Sequence, residues 1–334
     1  MRKRFVAARE DLPGAAWLAR FIAGRHEAEQ WYRGTGRGAP PTAAECRAAL
    51  RRHMPQLLPR YDEACALVGD DEAAHRILSH YRPPPLIFGC TQAVWLGSDG
   101  PALVRNYDYP LDIVSDRFES TSWFGRELIA KAQRPWGGCL DGMNADGLVA
   151  SATFGGSPAQ GLGFSIILML RYVLETCSDV AEGAAALCRI PVALSQNVTL
   201  LEPSGAYATV YLGPDRAPAI SRSRACANHQ ETSASTEPSA ATASVERQQF
   251  VLRALGDSGT TLATLTAAFL DAPLYSRARK APTVYSAVYR PAERRVDYLW
   301  PGKCMTQRIG KFEPGEYTHD YGELDSADAG IGRA

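Results

Sequence analysis

A run of prolines divides this sequence into two parts with different patterns. Pro83-Pro84-Pro85 cannot continue a helix, because proline lacks the backbone N–H and its ring clashes with the preceding turn. Before the run, the pattern is helical and polar: Thr42 and Glu45 form a capping box, and apolar residues at helical spacing predict a helix over 62–80. After the run, the residues become strand-like. The sequence therefore predicts a helical N-terminal segment followed by a strand-rich part.

The elements predicted after the prolines alternate between strands and pairs of helices. We expect hairpins and strands over 86–95 and 102–109, 149–154, 197–203 and 206–212, 283–289, and 295–300. Helices are predicted over 164–176, from 179 to before Pro191, over 245–255 and around 262–270, with a small, polar surface loop over 231–244. This order favours an α+β fold in which antiparallel sheets are covered by helices.

Charge and hydropathy exclude several classes of protein. The chain carries 36 basic and 36 acidic residues, so it lacks the surplus of Lys and Arg on which nucleic-acid binding depends. The apolar run over 164–170 is too short to cross a bilayer, and the charged N-terminus lacks the apolar core of a secretory signal. We expect a cytoplasmic protein with no nucleic-acid or membrane partner.

No metal or cofactor is expected. None of the eight cysteines forms a CxxC pair, and among the six histidines only His75 and His80 are close in sequence, at a spacing that does not share one helix face. No GxxxxGK[ST] or GxGxxG motif follows a strand, so a nucleotide-binding fold lacks its fingerprint.

The predicted hairpin around residue 100 brings three reactive groups together. Pro101 cannot donate to a strand ladder, which favours a three-residue loop and places Cys90 and Asp108 on one face of the sheet. A two-residue loop would turn them to opposite faces. Arg105 next to the thiol would favour the thiolate, and Asp108 could hold an ammonium group or orient Arg105.

Five short motifs in order extend this observation. They are Gly89-Cys90-Thr91 with Arg105-Asn106-Tyr107-Asp108, Gly142-Met143-Asn144 to Gly147-Leu148, the segment 199–205, Ala227-Asn228-His229, and Ser244-x-x-Arg247. Together they resemble the isopenicillin N acyltransferase-like family (acyl-CoA:6-aminopenicillanic acid acyltransferases). This family of N-terminal nucleophile hydrolases is related to choloylglycine hydrolase. The resemblance implies a four-layer αββα sandwich of two antiparallel sheets flanked by helices.

The resemblance also implies domains and chemistry. Residues 1–89 would be a helical pro-segment, 90–317 the hydrolase domain, and 318–334 a frayed tail. Autoproteolysis between Gly89 and Cys90 would free an α-amine, with a pKa of about 7.7–8.0, to take the thiol proton. An acyl-enzyme on Cys90 would then pass to water or to an amine, and the pro-segment would stay associated with the large subunit.

Roles for the other site residues follow from the same resemblance. Asp108 would bind the new ammonium, Arg105 would support the thiolate and the substrate side, and Arg247 would complete the charged cluster. Asn228 would donate to the oxyanion beside a backbone N–H of Thr153 or Phe154. The substrate would be a small linear amide or an acyl-CoA thioester. Independently of the resemblance, three aromatic residues either line an apolar pocket for the acyl part or fill the core: Trp123, Phe124 and Trp136.

Two alternatives remain open from the sequence. An unprocessed thiol hydrolase would use His229 as the base for Cys90, which requires the imidazole within hydrogen-bond reach of the sulfur. A non-catalytic binding member of the fold would need neither residue.

Overall fold

Two sheets form the centre of the fold. The computed structural model describes residues 1–33, 39–133, 137–231 and 243–325, and within these ranges the sheets have nine and six strands. The nine-stranded sheet has the order β10 (Ala219–Ser221), β9 (Tyr207–Leu212), β8 (Gln196–Leu201), β7 (Val149–Phe154), β6 (Gly138–Asn144), β5 (Leu128–Gln133), β4 (Arg117–Thr121), β1 (Arg2–Arg9) and β15 (Gly315–Asp320). The six-stranded sheet has the order β11 (Ala225–Cys226), β2 (Gly89–Trp95), β3 (Ala102–Asp108), β12 (Thr283–Arg290), β13 (Arg295–Trp300) and β14 (Lys303–Arg308).

Helices cover the outer faces of both sheets. The helices of the N-terminal segment are α1 (Ala15–Arg33), α2 (Ala43–His53), α3 (Leu58–Val68) and α4 (Glu72–Ser79). Those of the later chain are α5 (Ile166–Thr176), α6 (Val180–Arg189), α7 (Ser244–Gly256) and α8 (Leu262–Ala268). Helices α5 and α6 pack on the nine-stranded sheet, whereas α7 packs on β2 and β11 of the other sheet. The predicted αββα order of layers is therefore confirmed.

The two faces of the six-stranded sheet have different neighbours. Ala93 and Val104 point outward and pack with α7 and α8 through Val251 and Leu265. Cys90, from the opposite face of β2, belongs to the large core between the two sheets. Because side chains alternate along a strand, each residue of β2 and β3 faces either this inner layer or the helices.

The sequence predicted a helical N-terminal segment, but this segment also contains the strand β1. Residues of β1 pair in antiparallel fashion with β15 and in parallel with β4, so one pair in the sheet departs from the antiparallel prediction. Phe5 and Ala7 are buried on one face of this strand, an alternation that the polar surroundings concealed. The single helix predicted over 62–80 is two helices, separated at Gly69, whose φ is +80°.

The prediction of a frayed tail from 318 is also wrong in part. Residues 315–320 form β15, which pairs with β1 and buries His319. The Asp- and Gly-rich composition suggested disorder, but pairing with β1 supplies the hydrogen bonds that the tail lacks alone. Residues 326–334 lie outside the described residues.

The hairpin of β2 and β3 has a longer connection than predicted. Trp95 pairs with Ala102, so residues 96–101 form the turn, with Gly100 at a φ of +80°. Cys90 is therefore opposite Tyr107, and Asp108 is opposite Gly89. The prediction that Cys90 and Asp108 share a face is wrong, because a register change of an odd number of residues reverses the faces.

In the part of the chain that the structure describes, no helix combines the length and the apolar character needed to cross a bilayer.

Candidate active site

Cys90 lies near the start of β2 with its side chain fully buried between the two sheets. The guanidinium of Arg105, two residues along β3 from the partner of Cys90, donates from Nη2 to the sulfur at 2.9 Å. Burial raises the pKa of the Cys90 thiol to about 12, while the charge of Arg105 acts to lower it. The predicted contact between thiol and guanidinium is present.

Arg105 forms its ion pair with a carboxylate that the sequence analysis missed. Its Nη1 lies 2.6 Å from Oδ2 of Asp141 on β6, and both side chains are fully buried. The same Nη1 donates to Ser151 Oγ on β7 at 2.9 Å. One sequence signal could have identified Asp141: it is an acidic residue in the buried stretch Gly138–Asn144, directly before the Gly-Met-Asn motif.

Asp108 lies on the other face of the sheet, toward α7. Its Oδ2 accepts from Arg247 Nη1 at 2.9 Å, and its Oδ1 accepts from Thr283 Oγ1 at 2.7 Å. The expected single cluster of Arg105, Asp108 and Arg247 is therefore wrong as drawn. Arg105 and Asp108 instead belong to two separate buried ion pairs, one on each face of β3, because positions 105 and 108 differ by an odd number.

Gly89 and Asp108 approach each other closely across the hairpin. A Cβ atom added at Gly89 would lie 2.9 Å from Asp108 Cβ and 3.1 Å from its Oδ2. The residue before Cys90 is thus restricted to glycine by the carboxylate opposite it. Asp108 lies directly beside the peptide unit that precedes Cys90.

Asn228 contacts the backbone of Cys90. Its Oδ1 accepts the Cys90 N–H at 3.0 Å, and its buried Nδ2 has no hydrogen-bond partner among the described residues. Asn197 holds the surrounding chain, since its Nδ2 donates to the carbonyls of Ala227 at 3.1 Å and His229 at 3.0 Å. These contacts give Asn197 a structural role.

The end of β7 is tied to the same segment. Thr153 Oγ1 donates to the carbonyl of Ala227 at 3.0 Å, and the carbonyl of Phe154 accepts from Asn197 at 3.2 Å. These contacts bring the strand end to the chain that carries Asn228. The role of the Thr153 or Phe154 N–H toward an oxyanion stays a prediction.

His229 points to a different partner. Its Nδ1 lies 2.7 Å from Ser244 Oγ, and burial lowers the pKa of the imidazole. Among the described residues, no hydrogen bond joins His229 to Cys90, whose sulfur accepts from Arg105. The geometry required by the unprocessed cysteine–histidine alternative is not present.

A cavity of about 660 Å³ is connected to this site through Gln133, and Cys90, Arg105 and Asn228 are not among its lining residues. Its wall combines Trp17 and Phe21 of α1 with Trp123 and Gln133, and Gln133 donates to the hydroxyl of Tyr107, the cross-strand partner of Cys90. Trp123 therefore lines a cavity, and its contact with a substrate stays a prediction. Phe124, the second predicted pocket residue, is 37% exposed and its ring lies beneath the guanidinium of Arg60. The third, Trp136, lies outside the described residues.

Within the described ranges, no group of three or more His, Cys, Asp or Glu side chains is arranged to hold a metal ion.

Similar solved structures include a hydrolase, an amidase and an acylase. A mutant of the conjugated bile acid hydrolase from Clostridium perfringens is 11% identical, with a TM-score of 0.44, over 70% of this chain and 97% of that one. The Caenorhabditis elegans ortholog of N-acylethanolamine-hydrolyzing acid amidase is 15% identical, with a TM-score of 0.45, over 61% and 93%. Penicillin V acylase from Agrobacterium tumefaciens is 16% identical, with a TM-score of 0.37, over 65% and 84%.

The curated proteins give no significant match. A scan against protein families matches residues 95–304 to the family described as acyl-coenzyme A:6-aminopenicillanic acid acyl-transferase. The match spans more than half of the chain and confirms the resemblance drawn from the five motifs. The protein belongs to the acyl-coenzyme A:6-aminopenicillanic acid acyl-transferase family.

Proposed function

We propose that the protein is a cysteine amidohydrolase or acyltransferase whose nucleophile, Cys90, is freed by cleavage of the Gly89–Cys90 bond. The observation that carries the proposal is the contact of Arg105 Nη2 with Cys90 Sγ. The backbone N–H of the same cysteine donates to Asn228 Oδ1. A cysteine thiol beside a guanidinium is suited to nucleophilic catalysis once the backbone nitrogen of the same cysteine becomes a free amine that can accept the thiol proton.

Cleavage begins with the thiol of the uncut chain. The sulfur attacks the carbonyl carbon of Gly89, the C–N bond breaks, and the thiol proton goes to the departing nitrogen. The resulting thioester is hydrolysed by water, which leaves a carboxylate on Gly89 and a free thiol and amine on Cys90. Asn228 fixes the scissile N–H, and Gly89 permits the close approach of Asp108.

The mature site uses the new amine as its base. A free α-amine has a pKa of about 7.7–8.0, so it can accept the thiol proton near neutral pH. Asp108, opposite Gly89, stabilises the ammonium that forms. The unpartnered Nδ2 of Asn228 donates to the oxyanion, a contribution of about 2.7–4 kcal/mol for one such donor. The acyl-enzyme then passes to water or to an amine.

The cavity beside Tyr107 would take the apolar part of a small amide or acyl-CoA substrate. Its aromatic wall includes Trp17 and Phe21, which belong to the segment before the cleavage site, together with Trp123 after it. The N-terminal fragment is also held by β1, between β4 and β15. We therefore expect the two fragments to remain together after cleavage.

Intact-mass spectrometry tests this proposal. Purified wild type should give two fragments, 1–89 and 90–334, and Cys90→Ala should remain one chain. Under native conditions the two fragments should elute together, and denaturant should separate them. A wild type that stays whole yet hydrolyses amides would contradict the proposal.

A further inference from the structure

We propose that Asp141 is a positioning residue, which holds the guanidinium of Arg105 in contact with Cys90 and is itself held by Tyr285 and Tyr289. The proposal rests on the proposed function, because it concerns the same nucleophile. Asp141 is a buried carboxylate on the nine-stranded sheet, and it faces Arg105 on the six-stranded sheet.

The need for Asp141 follows from the burial of Arg105. A fully buried guanidinium is strongly destabilising without a paired charge. Asp108, the acidic residue near it in sequence, lies on the other face of β3 and pairs with Arg247. Asp141 is therefore the carboxylate that compensates Arg105 in the layer between the sheets.

The geometry of the guanidinium gives Asp141 its orienting effect. The group is planar and rigid, so fixing one nitrogen also sets the direction of the other. Asp141 and Ser151 hold Nη1, at 2.6 and 2.9 Å, which leaves Nη2 directed at Cys90 Sγ. Nε has no hydrogen-bond partner among the described residues, so the orientation depends on the Nη1 contacts.

Two tyrosines fix the carboxylate in turn. The hydroxyl of Tyr285 donates to Asp141 Oδ2, and that of Tyr289 donates to Oδ1. Both rings are fully buried, and burial raises the pKa of both phenols well above the ordinary value, so they remain donors. Asp141 thus has little freedom to move away from Arg105.

Other charged or titratable groups contribute to the electrostatic field around the thiol and this carboxylate. Those facing the network are Lys131 on β5, Tyr298 on β13, and, from the other side of the six-stranded sheet, Asp108 and Arg247. In this field Arg105 lowers the pKa of the thiol, whereas Asp141 as a charge raises it. Positioning and direct charge therefore predict opposite results when Asp141 is neutralised.

Alkylation of Cys90 by iodoacetamide, followed by peptide mapping, measures the effect at a fixed mildly alkaline pH. If Asp141 positions Arg105, Asp141→Asn should slow alkylation about tenfold, because the misplaced guanidinium no longer stabilises the thiolate. Faster alkylation would overturn the proposal, since it would mean that Asp141 acts only as a negative charge. An unchanged rate would overturn it as well.

Two further measurements keep the test decisive. The exposed Cys304 serves as a reference for the reagent. Cys226 is buried like Cys90 and reports how often the core opens to the reagent, so the Cys90 rate is compared with the Cys226 rate in each protein. If Asp141→Asn does not fold, the Tyr285→Phe, Tyr289→Phe double variant keeps the carboxylate and the rings. It should still slow alkylation several-fold, and wild-type reactivity would overturn the proposal.

The readout also separates this proposal from the proposed function. Alkylation can be compared in the uncut chain and in any cut chain, which mass spectrometry distinguishes. A wild type that is never cut contradicts the proposed function, but slower alkylation of the Asp141→Asn thiol would still support the positioning role.

Discussion

The backbone N–H of Cys90 donates to the side-chain oxygen of Asn228 at 3.0 Å, across 138 residues of sequence. The amide group of Asn228 therefore presents its acceptor to the peptide N–H of Cys90 and leaves its donor Nδ2 without a partner among the described residues. The two ends of this side chain can serve two stages of the proposed reaction, cleavage of the chain and stabilisation of a substrate oxyanion.

Asn228→Asp should separate these two stages. The variant keeps an oxygen acceptor for the Cys90 N–H but loses the amide donor, so cleavage should continue while turnover falls about 10²–10³-fold. Turnover can be followed with a chromogenic acyl anilide that the wild type hydrolyses. Asn144→Ala is the control, because that amide caps a turn through the N–H groups of Asp146 and Leu148. Equal loss of cleavage and turnover in Asn228→Asp would argue against distinct roles.

Gly89→Ala should impair cleavage. The added Cβ would lie 2.9 Å from Asp108 Cβ, so the strands must shift, at a cost of about 1–3 kcal/mol. The rate at which the two fragments form, followed by mass spectrometry during expression, should fall. Gly256→Ala is the matched control, since no atom lies within 4 Å of its added Cβ. Normal cleavage in Gly89→Ala would show that the close approach has no consequence.

Asp108→Asn should destabilise the fold as well as slow the reaction. Loss of one partner leaves the buried Arg247 uncompensated, and breaking such a pair costs about 3–5 kcal/mol. Urea unfolding in an uncut Cys90→Ala background measures this cost. Adding Arg247→Gln should recover much of the stability, yet in the Cys90 protein the double variant should remain slow, because the ammonium still lacks its carboxylate. Recovered turnover would remove Asp108 from the mechanism.

Lys131 should make stability depend on pH. Burial lowers the pKa of this amine to about 7, whereas the unfolded amine has a pKa of about 10.4. Between these pKa values the unfolded state binds more protons than the folded state. The contribution of Lys131 to the free energy of unfolding should therefore rise with pH, by at most about 1.4 kcal/mol per pH unit. The difference in unfolding free energy between wild type and Lys131→Met should follow this slope, and Lys303→Met, at an exposed lysine, should show none. A constant difference would mean that Lys131 stays charged.

The sequence was sufficient to predict the contact of Cys90 with Arg105 and the order of the layers, and Cys90 as the nucleophile stays a prediction. Cys90, Arg105 and Asn228 meet as expected because short motifs on adjoining strands carry them. The predicted face of Asp108 was wrong, because the turn over 96–101 has six residues. A single proline does not determine the length of a hairpin turn.

Long-range pairings explain the other differences. Asp141 faces Arg105 from a different sheet, a contact between distant residues that no local pattern encodes. Strands β1 and β15 form only by pairing with each other and with β4, so neither shows a strong signal alone. The missed features are those that depend on which elements become neighbours in space.

Strand β1 has a consequence for the lifetime of the cut protein. The C-terminal strand β15 joins its sheet through β1, and β1 would belong to the shorter fragment. Once such a protein unfolds in dilute solution, recovery requires two separate polypeptides to collide and reassemble, a step that slows with dilution, whereas the uncut chain refolds by itself. After cleavage, the lifetime of the folded protein would therefore be set by its unfolding rate and not by a reversible folding equilibrium.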